Sequence, residues 1–195
     1  MKFSFTEEQD EFRSVLRRFL EDKSPSTEVR RLMATSEGWE RDQWSKINTD
    51  LGLTAVAIPE EYGGHGFGIS EQCIVLEEMG RSLLCAPYFG SAVLAASAIL
   101  YAATEDQKSA LLPGIASGDT IATLAFTEEN GLWNNSGLAT VFEKKGSEYS
   151  ISGTKSFVLD GSTADLIIVL ARAPNTKNDE GLSLFAVDGL SLIHI

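Results

Sequence analysis

The apolar residues of this chain keep a helical period through the first two thirds and change to alternation after Gly118. Two such patterns are buried most readily as helices followed by a sheet. Before the change, Thr6 and Gln9 have capping-box spacing, and Phe12, Val15, Leu16, Phe19 and Leu20 recur at i, i+3, i+4, i+7 and i+8, which makes one face of a first helix apolar. Trp44, Ile47 and Leu51 mark a helix near residues 40–51, closed by Gly52, and Ile69 to Met79 marks another, closed by Gly80. A more polar helix is predicted between residues 26 and 35. Thr104 and Gln107 repeat the capping spacing ahead of Leu111 and Leu112, and Pro113-Gly114 is expected to stop that element.

After Gly118 the runs TIATLAF and GLATVFEKKGSEYSIS, with a turn at Lys145-Gly146, read as short strands. Residues 148–173 (EYSISGTKSFVLDGSTADLIIVLARA) hold three strand patterns, ending in the β-branched run Leu166 to Leu170. Five or six strands follow with no helix between them, and NTKNDEG at 175–181 reads as a solvated hairpin loop. The predicted fold class is therefore α+β: an all-helical domain over residues 1–118, then an antiparallel β-barrel or sandwich-like domain over 119–195.

At 195 residues and 43% hydrophobic content the chain can bury a sizeable core. A net charge of −12 excludes the basic footprint that nucleic acid or an anionic membrane surface requires. Cys73 and Cys85 lie far apart with no Cys-x-x-Cys, so buried thiols in a reducing compartment are expected rather than a disulfide, and no metal site is read. Ser82 to Thr104 carries no charge and approaches the length of a membrane span, but Pro87 and Gly90 interrupt it, and the Ala- and Ser-rich helix over 91–103 suits burial in a bundle. No membrane span is predicted. Met1 leads into a charged, capped helix rather than an apolar signal region, and a cytoplasmic location is expected.

The segment LGLTAVAIPEEYGGHGFG at 51–68 joins a helix exit fixed by Pro59 to a loop in which Gly63, Gly64, Gly66 and Gly68 allow close approach of backbone. It is not a phosphate-binding Gly-x-Gly-x-x-Gly following a strand. His65 reads as a solvated loop histidine, and Glu60 and Glu61 as an exposed acidic turn. Together with Glu77-Glu78-Met79-Gly80-Arg81, the run from Gln107-Lys108 through Leu112-Pro113 to Ala116-Ser117-Gly118, and the Tyr149, Gly153-x-Lys155 and Ala164-Asp165 elements, this segment resembles the acyl-CoA dehydrogenase family. The matches run in order over Phe5 to Asp188.

The resemblance implies a flavoenzyme that desaturates an acyl-CoA thioester: a base removes the α-proton, the β-hydrogen leaves as hydride to FAD, and an electron-transfer flavoprotein takes the electrons. It implies cofactor contacts from Phe126, Thr127, Trp133, Asn134, Phe157 and Leu159. Three elements depart from the family wording, with only Thr127, Glu128 and Gly131 persisting in the first. Phe126 to Asn134 (FTEENGLWN) stands where the family has Thr-Glu-Pro and a Gly-Ser-Asp loop, Phe157 replaces a tryptophan, and Leu159 replaces a threonine and has no hydrogen-bonding group. The family's catalytic base is a glutamate from a third, helical domain, so no catalytic residue is assigned. The ending GLSLIHI departs from the family, and an incomplete chain with a tail of other origin is expected. At full length the resemblance implies a homo- or hetero-oligomer. Two other functions share these features: a non-catalytic partner subunit or scaffold of the same fold, and a flavin-dependent oxidase.

Overall fold

The computed structural model describes residues 4–189. Helices come first: α1 (Glu7–Lys23), α2 (Ser26–Met33), α3 (Arg41–Thr49), α4 (Ile69–Ser82), a π-helical segment Phe89–Ala95 running straight into α5 (Ala96–Ala102), and α6 (Glu105–Ser117). Strands β1 (Ala122–Ala125), β2 (Val141–Lys145), β3 (Glu148–Ser152), β4 (Leu166–Arg172) and β5 (Leu182–Asp188) follow. Among the described residues the chain is thus α+β in the expected order.

Both capping boxes form. Thr6 Oγ1 accepts the Gln9 amide at 3.2 Å while Gln9 Oε1 accepts the Thr6 amide at 3.0 Å, and Thr104 and Gln107 do the same at α6. Leu16 and Leu20 of α1 are fully buried in one cluster with Val75 and Met79 of α4, and each such leucine contributes about 1.5–3 kcal/mol.

Two helix ends differ from expectation. Gly80 lies inside α4, which stops instead at Leu83 with φ 52°. The Leu84 amide donates to Met79 O at 3.0 Å and the Leu83 amide to Gly80 O at 3.2 Å, a Schellman turn. The Ser82 carbonyl is taken by Ser24 Oγ at 3.2 Å, so a contact with the end of α1 fixes the stop. Pro113 does not stop α6. The carbonyl it leaves free belongs to exposed Ser109, where water can satisfy it, while Leu112, Ile115 and Ala116 complete a buried face across the proline. The helix ends at Gly118, φ 78°, where a Cβ would meet Asn48 Nδ2 at 2.2 Å and the carbonyl accepts Trp44 Nε1 at 2.7 Å.

The described strands form one mixed sheet, which corrects the antiparallel expectation. β4 runs parallel to β1 (Ala122↔Leu166 to Ala125↔Val169) and antiparallel to β5 (Leu166↔Asp188 to Arg172↔Leu182). β2 meets β4 in parallel at Val141↔Arg172, and β2 and β3 form a hairpin whose turn uses Gly146 at φ 67°. The chain between β1 and β4 carries that whole hairpin and returns to the same end of the sheet. Alternation reports which residues face the core but not strand direction. Only two of the three strand patterns in 148–173 are strands: residues 153–165 are turns and irregular chain.

β4 is buried on both faces. Ile167 and Val169 join the cluster of Leu16, Trp44 and Ile47, whereas Ile168 joins Ile99, Leu112 and Ile115. Helices and sheet therefore share their cores. No described helix is long and apolar enough to cross a membrane. Cys73 is exposed and Cys85 partly buried, against the expectation of two buried thiols, because Cys73 lies on the outer face of α4.

Candidate functional site

The glycine-rich loop closes on itself. His65 N donates to Ala55 O at 2.8 Å, Gly66 N to Ile58 O at 2.9 Å and Phe67 N to Val56 O at 3.0 Å. A Cβ at Gly64 would lie 1.8 Å from Ile58 O, so this glycine serves a backbone contact within the chain. His65, Glu60 and Glu61 are exposed.

The six residues assigned from sequence fall on two segments that the fold brings together. Phe126, Thr127, Trp133 and Asn134 lie at the end of β1 and in the loop to β2; Phe157 and Leu159 lie between β3 and β4. The Ser156 amide donates to Thr127 O at 2.9 Å, and Thr123 Oγ1 donates to Leu159 O at 2.6 Å. Phe126 and Trp133 meet edge to face, centroids 5.7 Å apart. Trp133 is 81% exposed and Phe157 79%, with Leu132, Leu159 and Phe89 partly exposed as well. Phe157 also holds φ 57°, a strained conformation for an aromatic residue. A strained, solvent-facing ring has a large stacking face and no packing role that explains it.

The polar members are less open. Thr127 is buried, and Asn134 Oδ1 is engaged by the amide and hydroxyl of Ser136. The exposed part of this face is therefore aromatic and apolar. It is an open wall. A cavity of about 320 Å³ lies instead beside Pro25, Glu28, Asp42 and Gln43, and a cleft of about 70 Å³ lies between α5, α6 and the β4–β5 pair. No group of three or more His, Cys, Asp or Glu among the described residues could hold a metal.

Sequence reasoning assigned no role to the charges beneath this face. Glu128, nearly buried, accepts the Ala139 amide on Oε2 at 2.8 Å, and on Oε1 the Thr140 amide at 2.9 Å, Thr140 Oγ1 at 2.6 Å and Lys155 Nζ at 2.9 Å. Burial pushes this carboxyl up, but the Thr140 hydroxyl, Lys155 and the two amides outweigh it and hold it at about 2. Burial pulls Lys155 below the ordinary lysine value, against the pull of Glu128. Arg172, also buried, donates to Asn135 O at 2.7 Å, Thr176 O at 2.8 Å and Asn178 O at 3.0 Å, tying the Trp133 loop to the β4–β5 hairpin. The available signal was that Glu128, next to Thr127, and Lys155, in Gly153-x-Lys155, each keep the family wording, but spacing alone does not pair residues 27 apart.

Comparison with known proteins gives a consistent result. The family profile described as "Acyl-CoA dehydrogenase, N-terminal domain" matches residues 6–119, and that described as "Acyl-CoA dehydrogenase, middle domain" matches 123–192. The short-chain specific acyl-CoA dehydrogenase of Clostridium acetobutylicum is 30% identical over 192 residues, 96% of this chain and 49% of its own. The ChsE4–ChsE5 complex from Mycobacterium tuberculosis superimposes with a TM-score of 0.82 at 29% identity, covering 96% of this chain and 49% of that one. A structure described as an FAD-dependent dehydrogenase gives 0.77 at 31%, covering 96% and 48%. The chain spans about half the length of the relatives it matches.

Proposed function

Because the chain belongs to the acyl-CoA dehydrogenase family, we propose that it is the helical and strand part of a flavin-dependent acyl-CoA dehydrogenase, with the Trp133–Phe157 face as one wall of the cleft for FAD and acyl thioester. The observation that carries this reading is Phe157, strained and solvent-facing, on a segment that the Ser156–Thr127 bond ties to the chain leading into the exposed Trp133 loop. A flavin bound there would accept the β-hydrogen of the thioester as hydride. Phe157 and Trp133 would stack on and exclude water from its ring, and Leu159 would add apolar contact without a hydrogen bond. The base that removes the α-proton is assigned to the part of its relatives' length that this chain does not span. An electron-transfer flavoprotein as acceptor, a homo- or hetero-oligomer, a cytoplasmic site and domain limits of 1–118 and 119–195 complete the proposal.

Leu159 supports a second reading, a non-catalytic partner subunit. Its half-exposed side chain cannot donate to a cofactor, and the loss of one such bond removes about 0.5–1.5 kcal/mol.

The test is FAD titration of the 195-residue chain and of the protein completed from its source reading frame, with dye reduction by a panel of acyl-CoA thioesters. The 195-residue chain is expected to bind FAD weakly and turn nothing over. The completed protein is expected to bind FAD and reduce dye, and Trp133→Ala or Phe157→Ala to weaken binding. No FAD binding by the completed protein points to the partner subunit, and oxygen uptake in place of dye reduction points to an oxidase.

A further inference from the structure

The loop that carries Trp133 and the segment that carries Phe157 are separate in sequence, and something must set their spacing across the face. Backbone pairing does so in part. The Ser156 amide reaches Thr127 O, and Arg172 N reaches Thr140 O at 3.0 Å. Between these contacts sits a single carboxylate. Glu128 Oε2 holds the Ala139 amide and Oε1 holds Thr140, so both ends of the 128–140 loop close on one side chain. The same Oε1 receives Nζ of Lys155, the residue two before Phe157, and that Nζ also reaches Phe126 O at 3.4 Å.

A clasp of this kind needs an anion. An ionised carboxylate offers about four lone-pair sites and no donor, whereas the glutamine amide turns an N–H₂ toward one set of donors. A buried ion pair is weak evidence for stability, because well-packed apolar residues of equal volume often serve as well. Its value here lies in geometry, since four donors from two segments converge on one group.

We propose that Glu128 is a positioning residue whose carboxylate, with Lys155 as its strut, sets the distance between the Trp133 loop and Phe157 across the candidate ligand face. It touches no ligand itself and acts through those two rings. The proposal rests on the reading of that face as the ligand wall, and its test separates the two.

The first arm needs no ligand: residue-resolved amide exchange of the 195-residue chain and of its Glu128→Gln and Lys155→Met variants. Exchange at Ala139 and Thr140 is expected to rise about tenfold in Glu128→Gln, as loss of a charged hydrogen bond implies. The Ser156 amide, which Glu128 does not touch, is expected to speed up in both variants, while Ile168 and Val169 in β4 stay protected. Unchanged Ser156 exchange in both overturns the proposal.

The second arm uses the completed protein. Glu128→Gln is expected to weaken FAD about tenfold and shift the flavin absorbance, Lys155→Arg to restore much of the affinity relative to Lys155→Met, and an equally destabilised Ile47→Val control to change neither. Equal FAD affinity in Glu128→Gln and the control overturns the proposal. If the wild-type completed protein binds no FAD, the flavin reading fails and the Ser156 amide alone decides: faster exchange supports the clasp, unchanged exchange overturns it.

Discussion

Replacing Glu78 by glutamine removes the most heavily charged contact in the helical part. Glu78 is fully buried on α4 and accepts four N–H groups: Arg17 Nη2 at 2.6 Å and Nε at 2.9 Å, Arg81 Nε at 2.9 Å and Arg13 Nη1 at 3.3 Å. Breaking a buried ion pair by removing one partner costs about 3–5 kcal/mol when the other charge is stranded. Here it is not. Arg13 keeps Glu77 at 2.6 Å, Arg81 keeps Glu21 at 3.3 Å, and Arg17 is 45% exposed and can be hydrated. The expected loss is therefore about 2–3 kcal/mol. Titration gives an independent route to the same size. The Arg17 hydrogen bonds, with Arg81 and Arg13, hold this carboxyl at about 2 against an ordinary 4.5, burial opposing them. A carboxyl lowered that far on folding contributes on the order of 3 kcal/mol above its unfolded value, and the contribution disappears as pH falls toward the folded one. Urea unfolding followed by far-UV circular dichroism, on wild type and Glu78→Gln at pH 7 and pH 3, measures both. The difference is expected to be about 2–3 kcal/mol at pH 7 and roughly half that at pH 3. A difference under about 0.5 kcal/mol at pH 7, which is the scale of a surface pair, or one that does not change with pH, would refute the reasoning.

Gly64→Ala, whose new Cβ would strike Ile58 O, is expected to lower the urea midpoint by the equivalent of about 2–4 kcal/mol as the loop's hydrogen bonds are lost. Gly63→Ala has open space around it and only a positive φ of 82° to resist it, so about 1–2 kcal/mol is expected; equal effects at the two positions contradict the packing account. Phe157→Gly relieves a left-handed conformation at an exposed position and should leave stability unchanged or raise it by up to about 1 kcal/mol, and a clear loss would mean that the ring packs against the protein. Cys73 is exposed, whereas burial, aided by Glu28, pushes the partly buried Cys85 thiol up. A thiol-specific disulfide reagent at pH 8 should therefore react in two phases, and Cys73→Ser should remove the fast one.

Much of this fold could be read locally. Thr6–Gln9 and Thr104–Gln107 announce helix starts because a capping box is complete within four residues, and the change of apolar period after Gly118 announces sheet because side-chain alternation is a property of the strand itself. The order of elements and the segments forming the candidate face follow from the chain alone, the latter through the wording that this sequence shares with its family. Everything that depends on an opposite partner was hidden. Gly80 could close a helix as well as Leu83 until Ser24 arrives at the Ser82 carbonyl, and Pro113 could stop one until Ile115 and Ala116 are drawn into the core. The direction of β4 relative to β1 was set by the path of the 40 residues between Ala125 and Leu166. Glu78 and Glu128 look like ordinary surface charges until arginines 61 and 65 positions away and a lysine 27 positions away close on them. Caps and periods are short-range and survive in any context, whereas a buried charge, a strand direction or a displaced helix end is decided only when distant segments compete for the same hydrogen bonds and the same apolar volume.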